Sequence, residues 1–302
     1  MTGPVGLAVN PTSGKGRGAA HADAAARVLA TGGLDVVRLQ GADAADLASR
    51  VRAARPDLGA LVVVGGDGMV HLGVNAVAGT GTPLGVVAAG TGNDVARGLG
   101  LPVHDPGAAA RVVLAALATG ATRSIDAART SAGHDVRWFA GVLGVGFDAI
   151  VNERANAMRW PKGRRRYDLA IARELPVFRP RPYTLRLDDA PLETAAMLVA
   201  IANGPSYGGG MMVCPDALFD DGLLDVLVVE PVSRVEFLRI FPKVFNGTHV
   251  AHPKVTIHRA ARVEVASPGI VGYGDGERMQ PLPVTVEAVP AALRLLAVAP
   301  AG

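Results

Sequence analysis

The first 125 residues alternate short apolar runs with longer stretches of helical periodicity, and few folds accommodate that order. The strand-like runs span residues 5–9, 36–39, 61–64 and 84–87, all of them apolar except for Arg38 in the second, and the helical stretches span residues 19–30, 44–54, 70–78, 93–98 and 107–118. Short runs that are apolar throughout are typical of strands buried on both faces, and the helices between them are the crossovers that parallel strands need. We therefore predict an α/β domain with a parallel sheet.

Beyond Ile125 the pattern changes to strands and hairpins. The strand-like runs span residues 136–141, 183–187, 194–203, 224–229, 255–258, 262–266 and 284–289, and helical stretches interrupt them at 148–158 and 234–245. Turn-forming residues such as those at 188–191 (Asp-Asp-Ala-Pro) indicate antiparallel pairing. We predict two domains, residues 1–125 and 126–302, the second rich in antiparallel strands, with the alternative that the last residues pack back on the first domain.

Composition excludes several classes of protein. The chain of 302 residues is 49% hydrophobic, so it can bury a large core, and its net charge of +3 does not suggest a nucleic-acid binder. Its single cysteine, Cys214, excludes an internal disulfide and a cysteine-based zinc site, and favours a packed thiol in a reducing cytoplasm. No apolar window is long enough for a transmembrane helix, and the first residues lack the charged region of a signal peptide.

Two glycine-rich turns follow the third and fourth predicted strands. They are residues 65–68 (Gly-Gly-Asp-Gly) and residues 90–94 (Gly-Thr-Gly-Asn-Asp). Glycines let a phosphate reach backbone N–H groups, and the start of a helix adds a favourable dipole. An ordinary turn, with Asn93 or Asp94 capping the next helix, explains either motif alone. Because both turns lie at carboxyl ends of neighbouring parallel strands, they indicate one ligand crevice, where Asp67 fits a role in holding Mg²⁺ directly or through water.

The end of the first strand does not favour a dehydrogenase or a P-loop ATPase. Residues 10–16 (Asn-Pro-Thr-Ser-Gly-Lys-Gly) and Ala19 satisfy a loose G-x-G-x-x-A pattern. The second strand, however, ends at Gln40 instead of the acidic residue that holds a ribose in dinucleotide sites. The lysine of this segment is followed by glycine, so no Walker A motif exists.

Two acidic turns occur in the second half of the chain, at residues 220–225 (Asp-Asp-Gly-Leu-Leu-Asp) and 272–277 (Gly-Tyr-Gly-Asp-Gly-Glu). A hairpin turn is the default explanation for each. In the functional interpretation, a carboxylate supported by glycines reaches an acceptor hydroxyl. If residues 275–277 are extended, Asp275 and Glu277 point to the same face and both can meet that hydroxyl.

In their order along the chain, these motifs resemble the diacylglycerol kinase catalytic family, which includes bacterial lipid kinases, sphingosine kinases and ceramide kinases. The matching segments are residues 10–16, 65–68, 90–94, 221–225 and 275–277. The resemblance covers nearly the whole chain. It implies an α/β N-terminal domain like that of NAD kinases and diacylglycerol kinases, a C-terminal antiparallel β-sandwich domain for the lipid substrate, and ATP in the cleft. The implied activity is Mg²⁺-dependent phosphorylation of a membrane lipid, above all of diacylglycerol to phosphatidic acid.

The resemblance also implies roles for single residues. Nucleotide contacts map onto Asn10, Pro11, Thr12, Ser13, Gly14, Gln40 (where the family often has Thr), Gly65, Gly66, Asp67, Gly68, Thr91 and Asn93. Asp67 would support the catalytic Mg²⁺ through water. Asp275 is the favoured general base, Glu277 would hold or orient the metal or act as base itself, and Asp67 is the alternative base. A structural metal site maps onto the main-chain oxygens of Leu218 and Leu223 and the carboxylate of Asp221.

The chain departs from the common bacterial pattern directly after Gly68. That pattern continues Thr-x-Asn-Glu, whereas this chain has Met-Val-His-Leu at residues 69–72. An apolar residue there is closer to the sphingosine and ceramide kinases, whose lipids are alternative acceptors. Two other functions stay open: a metabolite kinase like NAD kinase, which shares the Gly-Gly-Asp-Gly turn but not residues 221–225, and a catalytically silent lipid- or nucleotide-binding regulator.

A basic segment suggests how such an enzyme reaches its substrate. Arg164, Arg165 and Arg166 lie between Trp160 and Tyr167. A solvated charged helix explains this segment as well as a membrane patch does, in which each cation near an anionic leaflet contributes about 1 kcal/mol. The partners we expect are ATP, a membrane lipid and an anionic membrane surface, with no nucleic acid and with a homodimer left open. The expected location is the cytoplasm, peripherally on the inner face of the membrane.

Overall fold

A computed structural model gives the structure of the protein and describes residues 3–10, 18–158, 160 and 164–297. The chain divides into two units. The first comprises the residues up to Ala127, Phe219–Asp221 and the residues from Val289 onward. The second comprises Ala128–Leu218 and Gly222–Ala288.

The first unit is built on a parallel sheet in the order β2-β1-β3-β4. Its strands are β1 (Val5–Val9), β2 (Val36–Gln40), β3 (Ala60–Gly65) and β4 (Leu84–Ala88), and its helices are α1 (Gly18–Ala30), α2 (Ala44–Ala54), α3 (Asp67–Val77), α4 (Asp94–Gly98) and α5 (Pro106–Thr119). Every residue of β1, β3 and β4 is buried, which explains why their sequences are apolar without alternation. The predicted α/β domain with a parallel sheet is confirmed.

Alternate residues of β3 show how both faces of this sheet are covered. Val62 and Val64 belong to the core cluster that α1 and α5 complete. Val63 points to the opposite face, because successive side chains of a strand alternate. There Gly73 lets α3 approach the strand closely, since a Cβ atom on Gly73 would lie 2.9 Å from the Val63 side chain.

The second unit contains two antiparallel sheets. The strands are β5 (Arg123–Ala132), β6 (Asp135–Phe139), β7 (Val142–Gly144), β8 (Arg181–Leu187), β9 (Ala190–Ala196), β10 (Leu198–Ala202), β11 (Leu224–Val229), β12 (Val255–Ala260), β13 (Arg262–Ala266), β14 (Val271–Gly274), β15 (Glu277–Pro281) and β16 (Val284–Leu295), and the helices are α6 (Phe147–Ala157), α7 (Arg164–Glu174) and α8 (Arg234–Ile240). One sheet has the order β12-β11-β10-β7-β14-β15, and the other contains β16-β13-β8-β9 with the β5–β6 hairpin beside β16. The first residues of β5 (123–127) and the last residues of β16 (289–295) belong to the first unit.

The two sheets of the second unit share one core. Leu185 from one sheet and Val226 from the other belong to the same buried cluster. The opposite face of the six-stranded sheet is covered by α6 and α8, whose rings Phe147 and Phe237 meet edge-on with centroids 5.4 Å apart. The predicted antiparallel β-sandwich is confirmed.

The chain returns to the first unit at the end of β16. Leu295 pairs in parallel with Leu84 of β4, and the N–H group of Leu296 donates to the carbonyl of Leu84 at 2.8 Å. The predicted strand at 284–289 therefore continues farther than its sequence pattern indicated. As a result, β4 has a neighbour on each side.

The run at 194–203, predicted as one strand, consists of two strands in different sheets. β9 ends at Ala196 and β10 begins at Leu198, with Met197 only 2% exposed between them. Among the described residues β9 pairs only with β8, and many of its residues are exposed, whereas β10 is almost entirely buried between β7 and β11. The prediction of a single strand is wrong because the chain changes partners where its sequence changes from alternating to continuously apolar.

The helical stretch predicted over 234–245 is α-helical only as far as Ile240. Phe241–Asn246 forms a 3-10 helix instead. Pro242 explains the change, because proline has no N–H group to donate and its ring crowds the carbonyl one turn earlier. No helix in the described part of the chain is both long and apolar enough to cross a bilayer.

Candidate functional site

The register of the parallel sheet brings the ends of its strands together at one edge. Val9 lies opposite both Gln40 and Val64, and β3 stays in register with β4 as far as Ala88. Asn10 and both glycine-rich turns follow these strand ends and therefore lie at that edge. Ligands of open α/β sheets bind beyond the carboxyl ends of parallel strands.

Asp67 joins the two glycine-rich turns. Its Oδ2 accepts the backbone N–H of Asn93 at 2.7 Å, and its Oδ1 accepts that of Asp94 at 2.7 Å. The side chain is only half-buried, and each carboxylate oxygen can accept more than one hydrogen bond. The carboxylate can therefore still accept a hydrogen bond from a water molecule on a metal ion. The expected support of Mg²⁺ through water stays a prediction.

Glycine is required where the two turns touch. A Cβ atom on Gly90 would lie 2.4 Å from the Cα of Gly66 and 2.8 Å from Oδ1 of Asn93. A Cβ atom on Gly92 would lie 2.5 Å from Oδ2 of Asp67. Any side chain at these positions would push the turns apart and weaken the bonds to the carboxylate. Besides giving a phosphate access to the backbone, the glycines thus hold Asp67 in place.

The second turn is closed by its own polar side chains. Asn93 has a left-handed backbone (φ 56°), accepts the N–H of Gly90 at 2.9 Å and donates to its carbonyl at 3.0 Å. Asn93 is 1% exposed, so its side chain serves the turn. The buried Asp94 pairs with Arg97 at 2.9 Å, and the same guanidinium donates to the carbonyl of Gly92 at 2.6 Å. The turn is thereby fixed against α4.

The other predicted nucleotide contacts differ in exposure. Thr91 and Gln40 are exposed, and Asn10 is half-buried. Gly65 is buried at the end of β3, and Gly68 is exposed in the first turn of α3. The first N–H groups of a helix lack an i−4 acceptor, although that of Met69 donates to the carbonyl of Gly66 at 2.9 Å. Four of the predicted contacts lie outside the described residues: Pro11, Thr12, Ser13 and Gly14.

The departure after Gly68 affects the core more than the site. Met69 is 6% exposed and Val70 is 3% exposed, so both side chains pack inside the first unit. His71 and Leu72 are half-buried. An apolar residue at position 69 removes a hydroxyl group from the turn but leaves its backbone N–H groups in place.

In the second unit, Asp275 ties the β14–β15 hairpin to the connection between β6 and β7. Its carboxylate accepts the N–H groups of Ala140 at 2.9 Å and Gly141 at 2.8 Å, and its own N–H donates to the carbonyl of Val142 at 3.0 Å. Asp275 is 8% exposed. The position of its carboxylate is therefore fixed by the backbone.

The expectation that residues 275–277 are extended is wrong. Asp275 and Gly276 have φ values of 53° and 85° and form the two-residue turn of the hairpin. Asp-Gly is a favoured dipeptide for such turns because both positions need a left-handed backbone. The side chain of Asp275 is buried, whereas Glu277 is exposed at the start of β15. The two carboxylates therefore do not share the face of one extended segment.

Asn203, which the sequence analysis did not single out, contacts the same backbone segment as Asp275. Its Nδ2 donates to the carbonyl of Ala140 at 2.8 Å, its N–H donates to the carbonyl of Gly141 at 2.8 Å, and it is 1% exposed. Asn203 and Asp275 thus bind the same two residues. A polar residue that ends the apolar run of β10 and precedes Gly-Pro was the available signal.

Glu153 connects the hairpin to α6. Its Oε1 accepts the hydroxyl of Tyr273 at 2.6 Å and Nε of Arg278 at 2.7 Å, and Asn156 donates to the tyrosine oxygen at 3.0 Å. Burial, and after it the bond to Glu153, raises the pKa of Tyr273 to about 12. The bonds from Tyr273 and Arg278 hold the pKa of Glu153 below its ordinary value. Near neutral pH, an anionic Glu153 therefore binds both strands of the hairpin.

The predicted structural metal site stays a prediction. Leu218 is 55% exposed, and Asp221 and Leu223 are half-buried. Asp221 belongs to the first unit and the two leucines belong to the second. No group of three or more His, Cys, Asp or Glu side chains within the described residues is arranged to hold a metal ion. That result does not test a site built on main-chain oxygens.

The basic segment coincides with α7. Arg165 is exposed, and the guanidinium of Arg166 lies 5.9 Å from the centre of the Tyr167 ring. Trp160 is 78% exposed. For Arg164 the structure describes the helical backbone and not the side chain. The role of these arginines at a membrane stays a prediction.

Comparisons with known proteins cover nearly the whole chain. Residues 4–130 match the diacylglycerol kinase catalytic domain, and residues 141–297 match the YegS C-terminal NAD kinase beta sandwich-like domain. A diacylglycerol kinase of Mycobacterium tuberculosis is 43% identical over 297 residues, which are 97% of this chain and 95% of that protein.

Two solved structures share the fold. A diacylglycerol kinase from Bacillus anthracis superposes with a TM-score of 0.72 at 19% identity, over 98% of this chain and 97% of that one. An NAD kinase from Archaeoglobus fulgidus in complex with ATP superposes with a TM-score of 0.53 at 13% identity, over 98% and 93% of the two chains. At these identities the likeness concerns the fold alone.

Proposed function

Because the chain belongs to the diacylglycerol kinase catalytic family and is a lipid kinase, we propose that it transfers the γ-phosphate of ATP to the free hydroxyl of diacylglycerol and so forms phosphatidic acid. The observation that carries the proposal is the joining of the two glycine-rich turns by Asp67. The name of the relative from M. tuberculosis, similar over nearly its whole length, supports diacylglycerol as the acceptor.

ATP is proposed to bind at the strand ends of the first unit. The N–H groups of Gly90, Asn93 and Asp94 are bonded within the protein, so the N–H groups at the start of α3 are the ones suited to phosphate oxygens. The exposed side chains of Thr91 and Gln40 at the same edge are available to the rest of the nucleotide. The NAD kinase that shares this fold was solved with ATP, which supports the choice of donor.

Asp67 is the residue proposed to hold Mg²⁺, through a bridging water molecule. When bound, the ion neutralises charge on the phosphates during transfer. The bonds from Asn93 and Asp94 hold the carboxylate of Asp67 in one orientation before any ligand arrives. A carboxylate held in this way loses little conformational entropy on binding.

The reaction needs one proton acceptor. The acceptor hydroxyl oxygen forms a bond to the γ-phosphorus, the bond from that phosphorus to the bridging oxygen of ADP breaks, and the hydroxyl proton moves to a carboxylate. We favour Asp275, because two backbone N–H groups fix its position and a general base must be placed within hydrogen-bond reach. The side chain of Glu277 is exposed and forms no hydrogen bond or ion pair within the described residues. Glu277 and Asp67 are the other candidates.

The acceptor lipid stays in the bilayer, so the enzyme must reach a membrane surface. We propose that the arginines at 164–166 contribute to peripheral attachment through lipid phosphates. The cations of α7 and the exposed Trp160 nearby support this assignment.

The experiment that tests the proposal is a side-by-side phosphorylation assay. Radiolabelled ATP and Mg²⁺ are supplied with diacylglycerol, ceramide or sphingosine in mixed micelles, and with NAD in solution. We expect label in phosphatidic acid at the highest rate. Faster labelling of ceramide or sphingosine would support the acceptor suggested by Met69, and labelling of NAD alone would replace the proposal. No label in any product would indicate a silent binding protein.

A further inference from the structure

Exposed apolar side chains are concentrated on one short segment of the second unit. Nine large apolar side chains are well exposed among the described residues, and four of them lie within residues 235–250. They are Val235 (59% exposed), Leu238 (54%), Phe245 (47%) and Val250 (36%). This segment comprises α8 and the 3-10 helices that follow it.

The exposed apolar residues are not needed to attach this segment to the core. Phe237 and Ile240 are buried in the core cluster, and Phe241 and Val244 pack against it. These four residues follow the i, i+3, i+4, i+7 spacing of one apolar helix face. Val235 and Leu238, three residues apart, extend the apolar surface of α8 to its exposed side.

Cations without acidic partners accompany the exposed apolar residues. Arg234, Arg239 and Lys243 are exposed, and none forms an ion pair within the described residues. The nearby acids have other partners: Oε1 of Glu236 lies 3.3 Å from Nε2 of His252, an ion pair only when that imidazole is protonated, and Oε2 of Glu230 lies 2.7 Å from Nζ of Lys254.

The spacing places cations beside apolar residues. Arg234 and Leu238 are four residues apart, as are Val235 and Arg239, so each pair neighbours on the surface of α8. A surface with both properties complements an anionic lipid interface, which offers phosphates to cations and a hydrocarbon boundary to apolar side chains.

We propose that the exposed side of residues 234–250, the α8 surface, docks on an anionic bilayer. Leu238 and Phe245 enter the interface, while Arg234, Arg239 and Lys243 contact lipid phosphates. The proposal rests on the proposed function to the extent that a lipid kinase needs a membrane contact. The α8 surface is separate in sequence from the arginines of α7. It would attach the protein through the insertion of apolar side chains as well as through charge.

The test uses the full chain in sedimentation with vesicles of phosphatidylcholine alone or mixed with phosphatidylglycerol. The apolar variant is Leu238→Ser/Phe245→Ser, and its control is Val136→Ser, a 50% exposed position on β6. We expect the apolar variant to bind both kinds of vesicle at least about tenfold more weakly than wild type, because its side chains no longer leave water on binding. The control should bind like wild type.

A second variant tests the charges. Arg234→Ala/Arg239→Ala should weaken binding to phosphatidylglycerol vesicles at low salt, and the difference should disappear at high salt. Its control, Arg52→Ala/Arg111→Ala, removes the same charge from exposed positions of the first unit and should bind like wild type. Thermal unfolding verifies that the variants fold.

Binding by both variants at wild-type strength would overturn the proposal, and so would a wild-type protein that binds neither kind of vesicle. A wild-type dimer that Leu238→Ser/Phe245→Ser converts to monomers, with vesicle binding unchanged, would identify a subunit interface and overturn it too. Turnover of a dispersed short-chain diacylglycerol should be the same in all variants. Wild-type protein with the expected vesicle binding but no lipid phosphorylation would support the α8 surface and reject the proposed function.

Discussion

Asp67 accepts hydrogen bonds from Asn93 and Asp94, so its substitution acts on the fold as well as on catalysis. Asparagine keeps the shape of the side chain, but its NH2 group is a donor and would replace one of the two accepting oxygens. One backbone N–H that is bonded in the wild type would therefore face another donor. We expect Asp67→Asn to lower the free energy of unfolding by about 1–3 kcal/mol and to reduce kcat severely. Denaturant unfolding gives the first value, and kcat is measured at a temperature where the variant is folded.

A matched control for this substitution is Asp57→Asn. Asp57 is exposed in the same unit and its carboxylate has no partner within the described residues. It should leave both stability and kcat unchanged. If Asp67→Asn behaves like this control, Asp67 neither holds the turns together nor supports the metal ion.

His249 makes the stability of the second unit sensitive to acid. It is 1% exposed, its Nε2 lies 3.0 Å from the carbonyl oxygen of Val213, and burial holds its pKa below the ordinary value. The unfolded chain takes up a proton near pH 6.5, while the folded chain resists it, so stability falls as the pH drops below about 6.5. His249→Gln retains a donor for Val213 but does not titrate. We expect the melting temperature of wild type to fall more steeply than that of the variant between about pH 7.5 and pH 5. Parallel curves would rule out this role.

Among the helices, strands and turns, the contact between the two glycine-rich turns is the least tolerant of added volume. Gly90→Ala places a Cβ atom 2.4 Å from the Cα of Gly66, so the turns must separate. We expect a loss of about 1–3 kcal/mol in the free energy of unfolding, together with weaker ATP binding. Denaturant unfolding and calorimetry measure the two effects.

The control is Gly107→Ala in the first turn of α5. The atoms nearest to its added Cβ belong to the side chains of Asp105 and Arg111, at 3.3 and 3.4 Å. Oδ1 of Asp105 also accepts the N–H of Ala108, but a shift of a few tenths of an ångström keeps that bond. This variant should be as stable as wild type. If Gly90→Ala were as stable as wild type, close contact between the two turns would not be needed for stability.

The β14–β15 hairpin separates two candidate bases. Asparagine tolerates the left-handed backbone of position 275, so Asp275→Asn should keep the turn but lose one bond to the backbone of Ala140 or Gly141. We expect it to lose nearly all turnover while it still binds ATP, which is proposed to bind in the first unit. Glu277→Gln, at an exposed position, should fold like wild type and retain more activity.

Turnover with the lipid assay and ATP affinity by calorimetry distinguish the outcomes. If Glu277→Gln loses turnover and Asp275→Asn keeps it, Glu277 is the base. If both variants keep most of their activity, the base lies outside this hairpin and Asp67 becomes the leading candidate.

The sequence was sufficient to predict those helices and strands whose order of apolar and polar residues reflects their own burial. Strands β1, β3 and β4 of the first unit were predictable because burial on both faces leaves uninterrupted apolar runs. The change of sheet at Met197 was not, because it depends on which strands are available as partners. The hydrogen bonds to Asp275 could not be predicted either, because Ala140 is 135 residues away along the chain and no local sequence pattern indicates that contact. The hairpin turn itself was visible in the Asp-Gly dipeptide, which favours a left-handed turn over an extended segment.

For the chain as a whole, attachment to a membrane combines α7 with the α8 surface. Replacing Arg164, Arg165 and Arg166 by Ala should weaken binding to phosphatidylglycerol vesicles at low salt, with little change in turnover of a dispersed short-chain acceptor. The remaining binding should still depend on Leu238 and Phe245. Sedimentation over a range of salt concentrations measures both effects. If the triple variant pellets like wild type at every salt concentration, the arginines of α7 form a solvated surface.

The pairing of Leu295 with Leu84 has a consequence for the order in which the protein matures on the ribosome. About 210 residues separate the two partners, and at about 5–20 residues per second translation of that interval takes about 10–40 s. During this time the carbonyl of Leu84 lacks its partner, although Ala88 at the other end of β4 is bridged to Val103, and the open part of the edge can pair with strands of other nascent chains. The unit encoded first is therefore completed last. A message truncated before residue 295 would leave that edge open for the lifetime of the product.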